Sequence, residues 1–155
     1  MTHADKHRFA FILFLLAGLI LTWWVFISIY RSQLPSIVVL PNGQEIEVQV
    51  ADSDYERSQG LSGVDRLTYQ EGMLFLHEKK ENLQYWMKDM LIPIDIIWLD
   101  GDRVVGFEEN VQPESEVDLT HYTSPQPIDR VFESAAGFVA NYNIKRGDRL
   151  DIKLQ

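Results

Sequence analysis

Cysteine is absent from this 155-residue chain. Its absence excludes a thiol nucleophile, a disulfide framework and a metal site built on thiolates. Histidine is scarce as well: only two of the four histidines, His77 and His121, lie beyond the amino-terminal apolar run, and they are 44 residues apart. That separation is not the short helical spacing of a metal-binding pair. We therefore expect both histidines in solvated loops, and the sequence indicates neither a metal site nor a cofactor.

Basic side chains are too few to balance the acidic ones. The chain has 14 Lys and Arg against 23 Asp and Glu, which gives a formal net charge of −9. Asp5, Lys6, Arg8 and Arg31 together contribute +2, so the residues after Arg31 carry −11. Such a domain repels a phosphate backbone, and we expect no nucleic-acid partner.

The one long hydrophobic run lies near the amino end. Residues 9–30 contain no charged side chain, and as a helix they would span about 33 Å, against about 30 Å for a bilayer core. Trp23, Trp24 and Tyr30 lie in its last third, where aromatic rings favour the headgroup region. A cleaved signal peptide has a shorter apolar core and a small-x-small cleavage site, which residues 26–31 lack. The run therefore predicts an uncleaved signal anchor.

The charges that flank this run predict its orientation. Lys6, Arg8 and the α-amino group outweigh Asp5 on one side, whereas only Arg31 is close on the other. The positive-inside rule then leaves the amino terminus in the cytoplasm. We expect a single-pass protein of the inner or plasma membrane with four parts: a cytoplasmic stretch at 1–8, the anchor at 9–30, a linker at 31–36 and an extracytoplasmic domain at 37–155.

A β-hairpin and a short helix are predicted at the start of the domain. Asn42-Gly43 is a hairpin turn signal between the apolar residues 37–40 and residues 45–50, in which polar and apolar side chains alternate. Ser53, followed three residues later by Glu56, forms a capping box. A helix of about two turns is expected after it.

Four strands and a loop are predicted in the middle of the domain. Residues 72–76 and 83–88 have the composition of short strands, and the charged residues 77–82 between them predict a loop. Residues 94–99 are nearly all apolar, which predicts a central strand buried on both faces. Asp100-Gly101 is a hairpin turn signal before the next strand at 103–107.

The last part of the domain is predicted to contain an irregular, proline-containing segment followed by short strands and a helix. Residues 108–129 are polar and contain three prolines, so they predict an irregular excursion. Beyond it we expect a strand at 131–133, a short helix at 135–142 and a final strand at 150–154. The fold class is then α+β and mainly β: a compact antiparallel or mixed β-barrel-like domain with one or two short helices.

A succession of short motifs runs through this domain. In order they are VAD at 50–52, ERSQGL at 56–61, GMLF at 72–75, YWMK at 85–88, IPIDII at 92–97, ENV at 109–111 and IKRGDRL at 144–150. The succession resembles the DUF192 family, a widespread prokaryotic domain of unknown function. The resemblance implies a compact, mainly β domain, often behind an export signal or anchor, and no established activity. Many members carry cysteines after the ENV block, whereas residues 112–124 have none.

Six residues are candidates for ligand binding: Arg57, Trp86, Lys88, Asp95, Glu109 and Asn110. Asp95 interrupts an apolar strand, so its carboxylate needs a cation or a water-filled cleft, because an unpaired buried charge costs several kcal/mol. Lys88 and Arg57 are the cations expected beside it, and Trp86 offers an apolar plate that stacks on sugars or cations. The alternative is a buried ion pair that only fixes strand register, with Trp86 and Trp98 in the core.

Three functions of different classes fit these residues. The first is a membrane-anchored binding or accessory module of the cell envelope, with a small polar ligand or an envelope glycan in a cleft around Trp86, Lys88 and Asp95. The second is a glycan-acting hydrolase with Asp95 and Glu109 as paired carboxylates, about 5 to 10 Å apart in one open cleft. The third is a structural protein whose acidic face meets cationic partners.

Overall fold

The computed structural model describes residues 16–24, 35–114 and 119–155. Residues 16–24 are helical (α1), and Pro35–Leu154 forms a compact unit of its own. Within the described part of the chain, no helix is both long and apolar enough to cross a membrane. The predicted cytoplasmic stretch, anchor and linker lie outside the described residues, apart from residues 16–24, 35 and 36. The topology therefore stays a prediction.

The domain begins with the predicted hairpin. β1 (Ser36–Val39) and β2 (Glu45–Ala51) pair antiparallel. In the turn Gly43 has a φ of 83°, a left-handed conformation that glycine adopts without strain. The backbone N–H of Gln44 donates to Asn42 Oδ1 at 2.9 Å and closes the turn. Residues 45–48 alternate between exposed and buried, as the period of two predicts.

The described part of the domain contains nine strands and two helices. The remaining elements are α2 (Asp54–Gln59), β3 (Glu71–Glu81), β4 (Gln84–Tyr85), β5 (Ile94–Asp100), β6 (Arg103–Val111), β7 (Tyr122–Thr123), β8 (Ile128–Ala135), α3 (Phe138–Tyr142) and β9 (Asp151–Lys153). Seven strands form one sheet in the order β6-β5-β8-β3-β2-β1-β9, and β4 pairs with β7. Among the described strands of the large sheet, only β2 and β3 run parallel.

The two edges of the large sheet approach each other. Arg103, at the start of β6, forms an antiparallel bridge with Arg149, just before β9. Beside the bridge, the Val104 N–H donates to the Asp148 carbonyl at 2.9 Å. The expected mainly β, barrel-like α+β domain is confirmed, and the parallel β2–β3 pair makes its sheet mixed.

Apolar side chains pack on both faces of this sheet. Leu74 and Phe132 belong to a cluster that includes Phe138 and Val139 of α3. Their strand neighbours Phe75 and Val131 belong to a second cluster on the opposite face, because side chains alternate along a strand. The predicted central strand is confirmed, since residues 94–99 of β5 are all buried. The second cluster supports the surface on which the candidate site is built.

The predicted loop at residues 77–82 is wrong. β3 runs as one strand of 11 residues from Glu71 to Glu81, and Glu81 still pairs with Ile128 of β8. The charged composition is misleading because the side chains of residues 78–81 point to solvent, and backbone pairing does not require apolar side chains on a solvated face. His77 therefore lies in a strand and is half-buried, which corrects its expected place in a solvated loop.

Several other elements differ in length from the prediction. β4 keeps only two of the predicted residues 83–88, whereas β6 continues to Val111 and β8 extends over Ile128–Ala135. β7, within the excursion predicted to be irregular, pairs with β4. Strand length follows the available pairing partner, which composition does not reveal.

Candidate functional site

A cavity of about 250 Å³ opens between α2, the segment that begins with β4, and one face of β3 and β8. This is the face that carries the second apolar cluster, to which Phe75 belongs. Three of the six candidate residues line it: Arg57, Trp86 and Lys88. The same cavity also brings in four titratable side chains that are not among the six candidates: Asp54, His77, Tyr85 and Glu133. Its volume lies just below the range usual for drug-sized ligands, so it suits a smaller molecule.

The first wall of the cavity is α2, which the predicted capping box begins. Ser53 Oγ accepts from the Glu56 N–H at 3.3 Å, and Glu56 Oε2 accepts from the Ser53 N–H at 3.1 Å. Both halves of the box are present, so the prediction is confirmed. At the other end Gly60 has a φ of 48°, and the chain turns there into the cavity lining.

Arg57 is held firmly on this wall. Its Nη1 donates to the Leu76 carbonyl of β3 at 2.7 Å and also to the Asp52 carbonyl. Its Nη2 pairs with the Asp54 carboxylate, and the side chain is only 18% exposed. The guanidinium group thus ties α2 to β3, and its charge is matched within the domain.

The floor of the cavity carries a buried acid, Glu133. It lies in β8 opposite Met73 and Ile96 of the neighbouring strands, and it is 5% exposed. No residue that the structure describes forms a hydrogen bond or an ion pair with its carboxyl group. Burial raises the pKa of Glu133 to about 8, so the group is mostly protonated at pH 7. A buried acid without a partner in a cavity is typical of a functional site.

Two hydrogen-bonded rings line the cavity near Glu133. His77 Nε2 and the Tyr85 hydroxyl oxygen are 3.1 Å apart. Burial raises the pKa of Tyr85, and the nearby Glu133 carboxyl raises it further. Burial lowers the pKa of His77, and the Arg57 guanidinium lowers it further. Both rings are therefore neutral at pH 7 and act as hydrogen-bonding groups rather than charges.

Trp86 and Lys88 are the exposed members of the lining. Trp86 is 48% exposed, and its ring centroid lies 5.9 Å from that of His121. Lys88 is exposed, and its ammonium group forms no ion pair with any described residue. A large aromatic ring and a free cation thus stand where a ligand would enter.

Asp95 has a different role from the one expected. It is fully buried, and its Oδ1 accepts from the backbone N–H of Asn110 at 2.7 Å and of Gly137 at 3.1 Å. Its Oδ2 accepts from the N–H of Val139 at 2.8 Å, in the first turn of α3. The predicted partner cation and the predicted water-filled cleft are both wrong for Asp95. Its partners are backbone groups of β6 and of α3.

Glu109 and Asn110 lie on β6 and do not line the cavity. Both are exposed, and Asn110 turns the chain with a φ of 53° while its N–H binds Asp95. Because Asp95 is sealed and Glu109 faces solvent, the two carboxylates do not share an open cleft. The paired-carboxylate geometry that the hydrolase hypothesis requires is absent from these two residues.

Glu133 carries a signal that sequence reasoning could have used. In residues 131–133 of β8 the acid lies two positions after Val131, so both side chains point to the same face. Glu133 is therefore an acid at a position of the strand where an apolar side chain is expected. The same signal makes Asp95 a candidate in the sequence. Tyr85 and His77 carry no comparable signal, because their meeting depends on where β4 folds back on β3.

Comparisons with known proteins agree with this fold. The DUF192 family model, described as Uncharacterized ACR, matches residues 37–152. No curated protein matches the chain. A solved structure from Sinorhizobium meliloti 1021, described provisionally as a transcription regulator, is similar with a TM-score of 0.68 and 28% identity, covering 76% of this chain and 91% of that one. A protein of unknown function from Novosphingobium aromaticivorans DSM 12444 is similar with a TM-score of 0.68 and 30% identity, covering 76% of this chain and 84% of that one.

Proposed function

Because this chain belongs to the DUF192 family, whose description gives no activity, we propose its function from the site itself: a binding module for a small polar ligand. The observation that carries the proposal is Glu133, a buried acid without a partner in a cavity of about 250 Å³. A buried polar group that lacks a partner costs free energy, and a bound ligand that supplies the partner recovers it. The acid is therefore explained by ligand binding rather than by folding.

The lining of the cavity favours binding over hydrolysis. Hydrolysis at a glycosidic bond needs two carboxyl groups on opposite sides of the bond. Asp54, the other acid of the lining, is engaged by Arg57. Two serines line the cavity, but the Ser58 hydroxyl donates to the backbone carbonyl of Tyr55 at 2.7 Å and the Ser62 hydroxyl to that of Lys88 at 3.2 Å. Neither serine has a histidine or carboxylate beside it among the described contacts, so neither is activated as a nucleophile.

The proposal includes a tether to the membrane. We place the anchor at residues 9–30 and the domain on the extracytoplasmic side of the inner or plasma membrane. The support is the uncharged apolar run and the basic residues that precede it. A binding module in that position would meet small polar molecules of the cell envelope.

Regulation of transcription is not part of the proposal. The Sinorhizobium structure is described provisionally as a transcription regulator, but the present domain carries a net charge of −11 after Arg31. Binding of DNA depends on basic groups that neutralise phosphates and release counterions. The charge of this domain opposes that interaction.

A ligand survey on the full-length chain in detergent micelles tests the proposed function. Thermal shifts and ligand-observed NMR with a library of small polar metabolites and sugars would find compounds that bind. Binding should weaken by about tenfold or more in Trp86→Leu, which removes the exposed ring of the cavity. Tyr55→Leu is the matched control, because Tyr55 is exposed on α2 but does not line the cavity. A survey without binders, or binders equally strong in both variants, would contradict the proposal.

A further inference from the structure

The charges that line the cavity are not balanced at every position. Asp54 and Arg57 form an ion pair on the α2 wall. Lys88 and Glu133 have no ion-pair partner among the described residues, and they do not reach each other. One cavity therefore holds a free cation in its exposed part and a free acid on its floor, at separate positions.

The surroundings of Glu133 favour a cationic group beside it. Phe75 and Tyr85 line the cavity with their ring centroids 5.2 Å apart, and Trp86 adds a third aromatic side chain. The faces of aromatic rings attract ammonium groups, more strongly where water is excluded. An ammonium group placed there meets the rings and, once Glu133 ionises, a carboxylate in a medium of low dielectric constant.

We propose that the cavity binds a small zwitterion, with its ammonium group beside Glu133 and its carboxylate towards Lys88. This inference rests on the proposed function and adds the class of ligand. A neutral sugar could hydrogen-bond to protonated Glu133 but would leave Lys88 unmatched, a simple anion would be repelled by the ionised form of Glu133, and a simple cation would leave Lys88 without a partner. A zwitterion matches both groups at once.

Binding of this kind is coupled to a proton. Glu133 is mostly protonated at pH 7, because its pKa is about 8, so an incoming ammonium group must displace that proton. The other titratable or charged groups of the lining are Asp54, Arg57, His77, Tyr85 and Lys88. Of these only His77 ordinarily titrates near pH 7, and burial lowers its pKa, so it stays neutral above that pH. The affinity should therefore rise with pH between 7 and 8.

Calorimetric titration of the full-length chain in detergent micelles tests the inference. The probes are glycine, 4-aminobutyrate, 6-aminohexanoate and their trimethylammonium counterparts, with butylamine, butyrate and glucose as single-charge and neutral comparisons. At least one zwitterion should bind about tenfold tighter than butylamine or more, and butyrate and glucose should bind least. Its affinity should rise about fivefold from pH 7 to pH 8, with release of a proton. The two ligand series distinguish a primary from a quaternary ammonium group.

Two variants separate the contributions of Glu133 and of Lys88 to the affinity for the ligand. Glu133→Gln should weaken binding of the zwitterion by about tenfold or more and should remove the pH dependence of that binding. Glu47 is exposed, and Glu47→Gln should change neither. Lys88→Met should weaken binding of the zwitterion but not of butylamine. Lys145 is exposed, and Lys145→Met should leave the affinity for both ligands unchanged. The pH dependence and the proton release are measured on the parent chain, so the test remains decisive even if a variant does not fold.

The outcomes distinguish the inference from the proposed function. Suppose that glucose or another neutral compound binds, that Trp86→Leu weakens this binding, and that no zwitterion binds. The proposed ligand class is then wrong, and the proposed binding function stands. An affinity that falls or stays constant from pH 7 to pH 8 also overturns the inference. If neither these probes nor the wider survey yields a binder, both proposals fail.

Discussion

Asp95 and Glu133, two buried carboxyl groups on adjacent strands, have opposite environments. Asp95 of β5 points to the face that packs on α3, where three backbone N–H groups satisfy it. Glu133 of β8 pairs with the next residue of β5, Ile96, and points to the other face, where no described group satisfies it. The first acid therefore stabilises the fold, whereas the second is available to a ligand.

The first prediction concerns Asp95→Ala. The substitution leaves one buried and two part-buried N–H groups without their charged acceptor, so the free energy of unfolding should fall by about 3 to 5 kcal/mol. Urea titration of the full chain in micelles, followed by tryptophan fluorescence, measures the change. Glu109→Ala is the control, because Glu109 is exposed on β6, and it should stay within about 0.5 kcal/mol of the parent. A loss below about 1 kcal/mol for Asp95→Ala would show that these hydrogen bonds are not what holds β6 and α3 to β5.

The second prediction concerns Glu133 and pH. The pKa of Glu133 is raised from 4.5 to about 8 by burial in the folded chain. Between these values the unfolded chain loses a proton that the folded chain keeps, so this group lowers the free energy of unfolding as pH rises, by up to about 1.4 kcal/mol per pH unit. The effect is absent below pH 4.5 and reaches its limit above pH 8.

Glu133→Gln should therefore become more stable relative to the parent as the pH is raised from 5 to 8. Urea titrations at each pH measure the difference, and Glu47→Gln controls for the loss of an exposed carboxylate. A constant difference between Glu133→Gln and the parent over this range would contradict the assigned burial of the group.

Among the elements, α2 connects local sequence to the site. Its capping box fixes where the helix begins, and this start places Arg57 against the Leu76 carbonyl of β3. Hydrogen bonds from the Ser53 hydroxyl and backbone N–H hold the pKa of the Glu56 carboxyl below its usual value. A six-residue helix has little stability of its own, so these bonds determine its position.

The third prediction is that Ser53→Ala destabilises the domain by about 1 kcal/mol, because one N-terminal N–H of α2 loses its acceptor. Urea titration measures the loss. Ser53→Thr keeps the hydroxyl group and should lie within about 0.5 kcal/mol of the parent. Equal losses in both variants would mean that crowding at this position, rather than capping, is responsible.

At the scale of the whole molecule, the apolar run predicts where the protein resides. The fourth prediction is that the full-length chain stays in the membrane fraction after a carbonate wash, and that protease added to spheroplasts digests the domain. Replacing Leu19 and Ile20 together by Arg should release the protein, because each charge near the centre of an anchor costs about 3 kcal/mol. The exchange Leu19→Ile with Ile20→Leu is the control. Recovery of a soluble fragment that begins near Ser32 from the parent would contradict an uncleaved anchor.

The sequence by itself determines the features that depend on near neighbours along the chain. The Asn42-Gly43 hairpin, the Ser53 capping box and the buried strand β5 were predictable because turn, cap and burial patterns each act within a few residues. The succession of motifs likewise identifies the DUF192 domain, which the family match over residues 37–152 confirms. Arg57, Trp86 and Lys88 were predicted as neighbours of Asp95; all three line the cavity, whereas Asp95 does not.

Only the tertiary structure decides which of these residues meet. β8 lies between β5 and β3 in the sheet, and this order brings Glu133 into one cavity with Arg57 and His77, although they are far from it in sequence. Pairing order is non-local, because it depends on the closure of long segments and on the packing of both faces rather than on local preference. For the same reason β3 continues through its charged end, and Asp95 finds backbone groups of α3 instead of the expected cation. The sequence thus supplies the polar groups, and the sheet order decides that one acid is sealed into the fold while the other faces a cavity.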